Sequence, residues 1–552
     1  MNKTLTMEKL KSFFRRYREN INILSILISL IFGCLNAFGR HMYFDHNLPD
    51  DRSGWLAMIG EIALYSVLMW ILIPIIETIS EYLLSANLLK KRVNSKETKH
   101  PHLFFIIAAV VIFGCWLPWI IAFNPCSAEW DTYKPIMGYM GYWPLDNAAP
   151  RLYISIVGYF YKQGVLWGNK EAGLFLFILF RDIIHSLIFA YISNTVFKKV
   201  NKIAGILVLL FFAITPVWGA YAKHLFKDTS YLALFSWYIT ETVLTVKEIR
   251  HKQLTSWRCV LYSLSGLMTA LFRYNGIYVI IPATILLCVG ILKYVKQWSK
   301  VVLVMIGIIT FMGYQNYANG LLDKQGSNST ALFIIPFQQV ARTMAEHESE
   351  LTEEEIECIR GVQNYGDLGS RYNMLLADPV LAEFRDGESA GKYIRNWFSM
   401  LWKYPQTYIE AFVGQNYGYY AFTPREAYGA GNFNSGMTLW HWVKDGRFPP
   451  EITCDYVYPD LNDMRNSLAG WADLWDTIPV INLTYSMPFY TWLTVLATYY
   501  CIKRKKLIYC IPMLAMILMI LTCVASPVNG CFRYYCGVAA AFPGLCLLAA
   551  KN

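Results

Sequence analysis

The sequence predicts an all-α polytopic membrane protein, and three observations carry that expectation. The first is composition: of 552 residues, 55% are hydrophobic and 16% charged, with a mean hydropathy of +0.32. A soluble chain needs more polar side chains than this to cover its surface. The second is a series of apolar runs near the length that crosses about 30 Å of hydrocarbon as a helix. The third is the placement of Lys and Arg in alternate short connections. The formal charge of +10 does not point to nucleic acid. Residues 323–476 hold 22 acidic and 12 basic residues, which leaves 37 basic against 17 acidic elsewhere, clustered in short loops. The partner this predicts is a lipid bilayer.

Apolar runs fall near 21–39, 56–79, 103–123, 172–196, 203–222, 229–246, 259–273, 276–292, 301–322, 481–501, 507–526 and 532–549, about 12 transmembrane helices. The stretch 259–292 is too long for one crossing and is divided at Arg273-Tyr274-Asn275-Gly276, where a charge, an amide and a glycine interrupt it. Basic residues then alternate consistently. Lys9, Lys11, Arg15, Arg16 and Arg18 precede the first span, and Lys90-Lys91-Arg92, Lys198-Lys199, Arg250 with Lys252, Lys293 with Lys296, and Lys503 to Lys506 occupy every second connection. Both termini are therefore expected in the cytoplasm of a multi-pass cell-membrane protein. The first apolar run lacks a small-x-small cleavage site and is read as a retained span rather than a signal peptide.

Three regions are expected on the outer face: 124–171, the short junction Lys223 to Asp228, and 323–480. The last is long enough for a mixed extracytoplasmic domain of its own between spans nine and ten. Within it Thr352-Glu353-Glu354-Glu355 reads as a capped helix start. Tyr417-Gly418-Tyr419-Tyr420 and the polar opening Gly326 to Thr330 read as loops. No fixed-period repeat and no CxxC motif occur, and a disulfide among Cys126, Cys358, Cys454 and Cys531 is left open.

The chemistry-bearing residues collect in the outer loops. Glu129-Trp130-Asp131 places two carboxylates at i and i+2 just past span three, a pattern that suits a hard divalent cation or a general base, or simply two solvated acids. Further along come Asp146 and Arg151, then an amphipathic stretch, Leu152 to Trp167, expected as an interfacial or a packing helix. Lys223, His224, Lys227 and Asp228 put three potential cations beside an acid, suited to a phosphate, or to Lys side chains reaching toward water. An Arg within a span faces a cavity or an anion, because burying it in lipid costs roughly 2.5–3.5 kcal/mol. Arg273 and Arg533 stand at span ends on those terms, and Gln338, Gln339 and Arg342 follow span nine as a polar helix face or as substrate contacts.

Taken together, these residues resemble the GT-C glycosyltransferases, polytopic enzymes that use polyprenyl-phosphate-linked sugars. That superfamily carries an acidic motif in its first outer loop, followed by interfacial helices. Here Glu129-Trp130-Asp131 and 152–167 match, Asp228 matches a second acidic position, and the large outer insert follows the module's seventh span. More narrowly, Asn124-Pro125, Lys227-Asp228, Arg273 to Gly276, Ile335-Pro336-Phe337-Gln338-Gln339 with Arg342, and Arg533-Tyr534 resemble a bacterial family of uncharacterised GT-C-like proteins. The chain departs from that family at Cys126 and at Asn147-Ala148-Ala149-Pro150, where a glycine and a His-rich turn are usual.

The resemblance implies two N-terminal helices and a cytoplasmic loop (1–102), a GT-C-like core of seven helices (103–322), the outer domain (323–480) and three final helices (481–552). It implies an inverting sugar transfer from a polyprenyl-phosphate-linked donor to an envelope acceptor that is a glycan, a lipid or a protein. Asp131 would act as base with Glu129 beside it. Lys223, Lys227, Arg273 and Arg533 would meet the phosphate, with Asp146, Arg151, Gln338, Gln339 and Arg342 as further contacts. Glu129, Asp131 and Asp228 would hold an optional divalent metal, Mg²⁺ or Mn²⁺. A transporter or flippase of lipid-linked saccharide, and a non-catalytic binding protein of the same fold, are the competing expectations.

Overall fold

A helix surrounded by other helices can carry polar residues without exposing them to lipid, and such a helix organises this protein. It is seen in a computed structural model that describes residues 14–15, 17–18, 21–85, 102–128, 130–144, 149–320, 333–382, 387–424 and 451–549. The expectations at Lys9, Lys11, Arg16, Lys90 to Arg92, Glu129, Asp146 to Ala148 and Gly326 to Thr330 fall outside these residues.

The elements used below are α1 (Ile23–Phe44), α2 (Arg52–Ser85), α3 (Leu103–Ala122), α4 (Trp130–Met140), α5 (Arg151–Leu166), α6 (Lys170–Lys199), α7 (Lys202–Ile214), α8 (Pro216–Ala222), α9 (Lys227–Arg250), α10 (Ser256–Phe272), α11 (Gly276–Gly290) and α12 (Trp298–Asn319). They continue with α13 (Ile334–His347), α14 (Glu353–Arg360), α15 (Gly387–Lys403), α16 (Pro405–Asn416), α17 (Asn462–Thr477), α18 (Met487–Lys503), α19 (Cys510–Val524) and α20 (Phe532–Leu545). No β-strand occurs among the described residues.

Among the described residues, seven helical stretches are long and apolar enough to cross a membrane: Ile23–Phe44, Arg52–Ile79, Leu103–Ala122, Lys170–Lys199, Gly276–Val295, Trp298–Ala318 and Leu507–Val524. The pair α7 and α8, bent by 50° where Pro216 interrupts it, makes eight if counted as one broken span. This is fewer than the 12 expected from the sequence. The stretches that fall short are themselves helices, but α10 and α18 have 17 residues each, Phe532–Leu548 is short, and α9 is too polar. The division at Arg273 is present as a break between α10 and α11.

The helix α9 is the central post. Of its 24 residues, 20 are buried, among them Asp228, Glu241 and Lys247. Two of its threonines return their hydroxyls to the backbone, Thr240 Oγ1 to Ser236 O at 2.8 Å and Thr242 Oγ1 to Tyr238 O at 2.7 Å, so these two need no outside partner. α10 and α20 pack along α9. The approach of α20 depends on two glycines: a Cβ on Gly537 would lie 2.7 Å from the Tyr231 ring, and one on Gly544 would lie 2.6 Å from Thr240 Oγ1. This close contact sets the N-terminus of α20 beside that of α9.

Between α12 and α18 the described residues form helices joined by turns, with no strand among them, where a mixed domain was expected. It has a core of its own around Phe337, Met344, Ile359, Tyr393, Met400 and Tyr408. The capping box at Thr352 forms, with Glu355 Oε2 accepting from Thr352 N at 2.8 Å. Tyr417–Tyr419, expected as an exposed loop, is instead a buried 3-10 turn that ties this segment to the last helices: Tyr419 OH donates to Val528 O at 2.8 Å. Cys126, Cys358 and Cys531 are not disulfide-bonded.

Candidate functional site

Three helix ends meet at one carboxylate. Asp228 is the second residue of α9, Arg273 follows the last residue of α10, and Arg533 is the second residue of α20. Arg273 Nη1 lies 2.7 Å from Asp228 Oδ1, and Arg533 Nε lies 3.6 Å from Asp228 Oδ2. The Asp228 side chain is 3% exposed, and those of Arg273 and Arg533 are 11% and 14% exposed, so the two cations are the less buried part of the group. An acid in the first turn of α9 and a cation after the end of α10 both suit their helix dipoles. Arg533 does not: it adds positive charge to a helix N-terminus that is already positive. The arrangement concentrates positive potential, as anion sites do.

Aromatic rings link this group to Lys223 and His224. The Arg533 guanidinium lies 4.9 Å from the Phe226 ring centre, and the His224 ring stacks on Phe226 at 4.8 Å. Tyr534 lies against both arginines, 5.0 Å from Arg533 and 5.7 Å from Arg273. Lys223 Nζ sits 3.9 Å from the Phe123 ring centre and donates to Ser127 Oγ at 2.8 Å. Cations and rings thus alternate along one buried row.

The loop that carries this row is held from two sides. From below, Arg181 of α6 donates to Tyr221 O at 3.5 Å, to Ala222 O, to His224 O and to Thr229 Oγ1 at 2.9 Å, while its own charge is met by Asp182 Oδ1 at 2.9 Å. From above, residues 124–132 bind it. Ser127 N donates to Lys223 O at 2.9 Å, Leu225 N to Ser127 O at 3.0 Å, and Thr132 Oγ1 to Leu225 O at 2.8 Å. Burial pushes the Cys126 thiol up to about 12, against the lowering fields of Arg181 and Lys223.

These bonds locate much of what the sequence singled out. Asp131 is the second residue of α4, next to Thr132, and so its backbone stands beside the Lys223 to Asp228 loop. Its partner in the motif, Glu129, lies outside the described residues, as does Asp146. Lys227 opens α9 next to Asp228 and is half-buried. Arg151 opens α5, and its backbone N–H donates to Tyr274 OH at 3.2 Å, which brings α5 to the neighbour of Arg273. The stretch 152–167 does form a helix, packed along α6.

Gln338, Gln339 and Arg342 are placed elsewhere. Gln338 Nε2 donates to Asn373 O at 2.5 Å and Gln339 Nε2 to Tyr408 O at 3.0 Å, both within the segment that follows α12. Arg342 pairs with Glu410 Oε2 at 2.6 Å and Glu346 Oε1 at 2.8 Å. The sequence reading overlooked Arg181, although an Arg-Asp pair inside an apolar run is itself a signal, because such charges are costly in lipid unless they serve a purpose.

Of the donors expected for a metal, Glu129 and the side chain of Asp131 lie outside what the structure describes, and Asp228 is described. Both oxygens of Asp228 face guanidinium groups, and no group of three or more His, Cys, Asp or Glu suited to a metal occurs among the described residues. Hard cations need several open oxygen ligands.

Among known proteins, residues 147–552 match a family model whose description is a family of unknown function. No curated protein and no solved structure matches the chain.

Proposed function

The chain belongs to that family, DUF6020, and from the geometry of its buried cation row we propose that it is a membrane glycosyltransferase of GT-C type. It moves a sugar from a polyprenyl-phosphate donor to an envelope glycan, lipid or protein at the outer face. The observation that carries this reading is the meeting of Arg273 and Arg533 on Asp228, on a loop to which α4, the helix that holds Asp131, is bonded. Two guanidiniums against one carboxylate leave positive charge for a phosphate.

In this reading the acceptor oxygen attacks the anomeric carbon while the bond from that carbon to the phosphate oxygen breaks, with inversion. Asp131 takes the acceptor proton. Arg273 and Arg533, with Lys223 and Lys227 nearby, stabilise the charge that develops on the leaving phosphate. Helices α9, α10, α18 and α20 complete 12 crossings, because a helix packed inside a bundle need not meet the length and apolarity required of one facing lipid. Both termini are cytoplasmic, and 323–480 lies outside.

The test is sugar transfer from lipid-linked donors by the purified protein. Asp131→Asn is expected to slow transfer about 10²–10⁴-fold, the usual worth of a general base. Wild-type rates in that variant would remove Asp131 from the reaction. Transport of a lipid-linked saccharide is the second reading, favoured by charges that sit within helices, Arg181 with Asp182 and Glu241 with Arg258. It predicts movement of the lipid-linked sugar across vesicles with no sugar transferred.

A further inference from the structure

Three helices end together on the side away from the cation row. α9 carries Asp228 in its first turn and reaches Arg250 22 residues later, roughly 33 Å at 1.5 Å per residue. That is close to the thickness of a bilayer's hydrocarbon, about 30 Å. The ends of α9 and α11 and the turn after α18 meet there at one glycine. A Cβ on Gly290 would lie 3.1 Å from Ile508 Cδ1 and 3.7 Å from Ile249 Cγ2. The turns 291–295 and 507–509 both pack against α9, and Arg250 and Lys293 lie 5.7 Å and 5.5 Å from the ring centre of Tyr294.

Each connection here holds a lysine in the left-handed region: Lys252 at φ 59°, Lys296 at φ 59° and Lys505 at φ 54°. The backbone bonds require that conformation. Lys252 N donates to Ile249 O at 3.0 Å and Gln253 N to Glu248 O at 2.9 Å, the paired bonds that close a helix C-terminus. The same pair recurs after α18, with Lys505 N to Ile502 O and Lys506 N to Cys501 O, both at 2.9 Å. Lys296 N closes the wider turn Ile291–Val295 on Ile291 O at 2.8 Å. Glycine is the usual residue at such a place, because a Cβ there is strained. The helix dipoles do not account for the lysines, since the last turns already hold Arg250, Lys293 and Lys503. Strain accepted three times on one face marks a use for the side chains.

Acids do not oppose this charge. No Asp or Glu occurs in 249–300 or in 501–552. The carboxylates that approach from α9 and α2 are already paired, Glu248 with Arg258 at 3.0 Å and Glu77 with Lys503 at 2.7 Å. Arg250, Lys252, Lys293, Lys296, Lys505 and Lys506 are exposed. Beside them Trp257 and Trp298, at the starts of α10 and α12, are 68% and 70% exposed. Exposed Trp next to Lys and Arg suits the headgroup layer, where the ring sits between hydrocarbon and water.

We infer that these three turns form a binding surface for the headgroups of anionic phospholipids, on the membrane face opposite the cation row. The tryptophans hold the lysines at headgroup depth, so the occupant is a bilayer lipid rather than a dissolved anion. The inference does not depend on the reaction proposed above.

The experiment titrates the full chain in detergent micelles with dioleoyl phosphatidylglycerol and with dioleoyl phosphatidylcholine, and reads bound lipid by native mass spectrometry. Lys252→Gly, Lys296→Gly and Lys505→Gly, combined, remove three cations and give each turn the residue its backbone favours. Thermal unfolding should therefore not fall. Affinity for phosphatidylglycerol should drop about fivefold per lysine and on the order of 100-fold for all three, with phosphatidylcholine unchanged. Arginine at the same three positions should keep the affinity. Undiminished phosphatidylglycerol binding in the glycine variant, or equal affinity of wild type for the two lipids, would overturn the inference. Equal loss in the arginine variant would overturn it too, because charge would then not be what binds. Displacement of the lipid by glycerol 3-phosphate at matching concentration would refute the choice of a bilayer lipid. If the glycine variant does not fold, a diazirine-bearing phosphatidylglycerol is photolysed on wild type. Labels on 250–257, 293–298 and 504–509 support the surface, and labels confined elsewhere refute it.

Discussion

Two arginine-centred clusters, one at the head of α9 and one in the segment after α12, use the same groups in opposite proportion. Around Asp228 one carboxylate meets two guanidiniums, Arg273 and Arg533. Around Arg342 one guanidinium meets two carboxylates, Glu410 and Glu346, and also donates to Asn47 Oδ1 at 2.5 Å, His46 O at 3.2 Å and Tyr372 OH at 3.3 Å. Glu410 in turn accepts from Leu48 N at 2.7 Å. The second cluster ties the α1–α2 turn to α13 and α16, and its arginine meets carboxylates at both Nε and Nη2. The first has cations in excess. The ratio separates a cluster that holds elements together from one suited to an anion, where residue type alone does not.

The largest expected effect tests the holding cluster. Arg342→Met leaves two carboxylates without their cation and is expected to cost about 3–5 kcal/mol, as for other broken buried pairs. Thermal unfolding in detergent measures it. Arg273→Met should cost less, about 1–3 kcal/mol, because Asp228 keeps Arg533 beside it. The same variant should lose most of its affinity for a polyprenyl phosphate, while Arg342→Met, where it stays folded, should not. A reversal of either order would erase the contrast. An exposed pair gives the baseline: Asp367→Asn, which removes the 2.9 Å contact with Arg371, should change stability by under about 1 kcal/mol.

The smallest signal concerns the loop that carries the cation row and the segment around Cys126 bonded to it. Cys126, buried with its thiol held up at about 12, carries about 10⁻⁴ thiolate at pH 8 and should stay close to background with iodoacetamide. Arg181→Met, which frees the 221–229 loop from below, should raise labelling. Rapid labelling of wild type would mean the loop is not held as drawn.

Much of this was legible in the chain. The positions of the apolar helices, the break at Arg273, the Thr352 cap and three of the residues that converge (Asp228, Arg273 and Arg533) follow from apolar length, interrupting charges and local capping. Two things were not. The polar content of α9 hides its role, since the sequence does not say that neighbours cover it on every side. Gln338, Gln339 and Arg342 sit in a polar helix face that serves equally to pack a segment or bind a ligand, and only their partners decide. The family match begins at residue 147, after the acidic triplet, and takes in Arg181, Asp228, Arg273 and Arg533.

The glycine contact between α9 and α20 has a consequence in time. Asp228 and Arg533 are 305 residues apart, so a ribosome adding about 5–20 residues per second needs roughly 15–60 s to make the second after the first. Arg273 reaches Asp228 early and keeps its charge company during that wait. The pair of cations exists only once the final helix has slid against Tyr231 and Thr240. Without α20, Asp228 would carry a single ion pair, to Arg273, where the folded protein sets two cations on one carboxylate. The second cation at Asp228 therefore depends on the packing of α20.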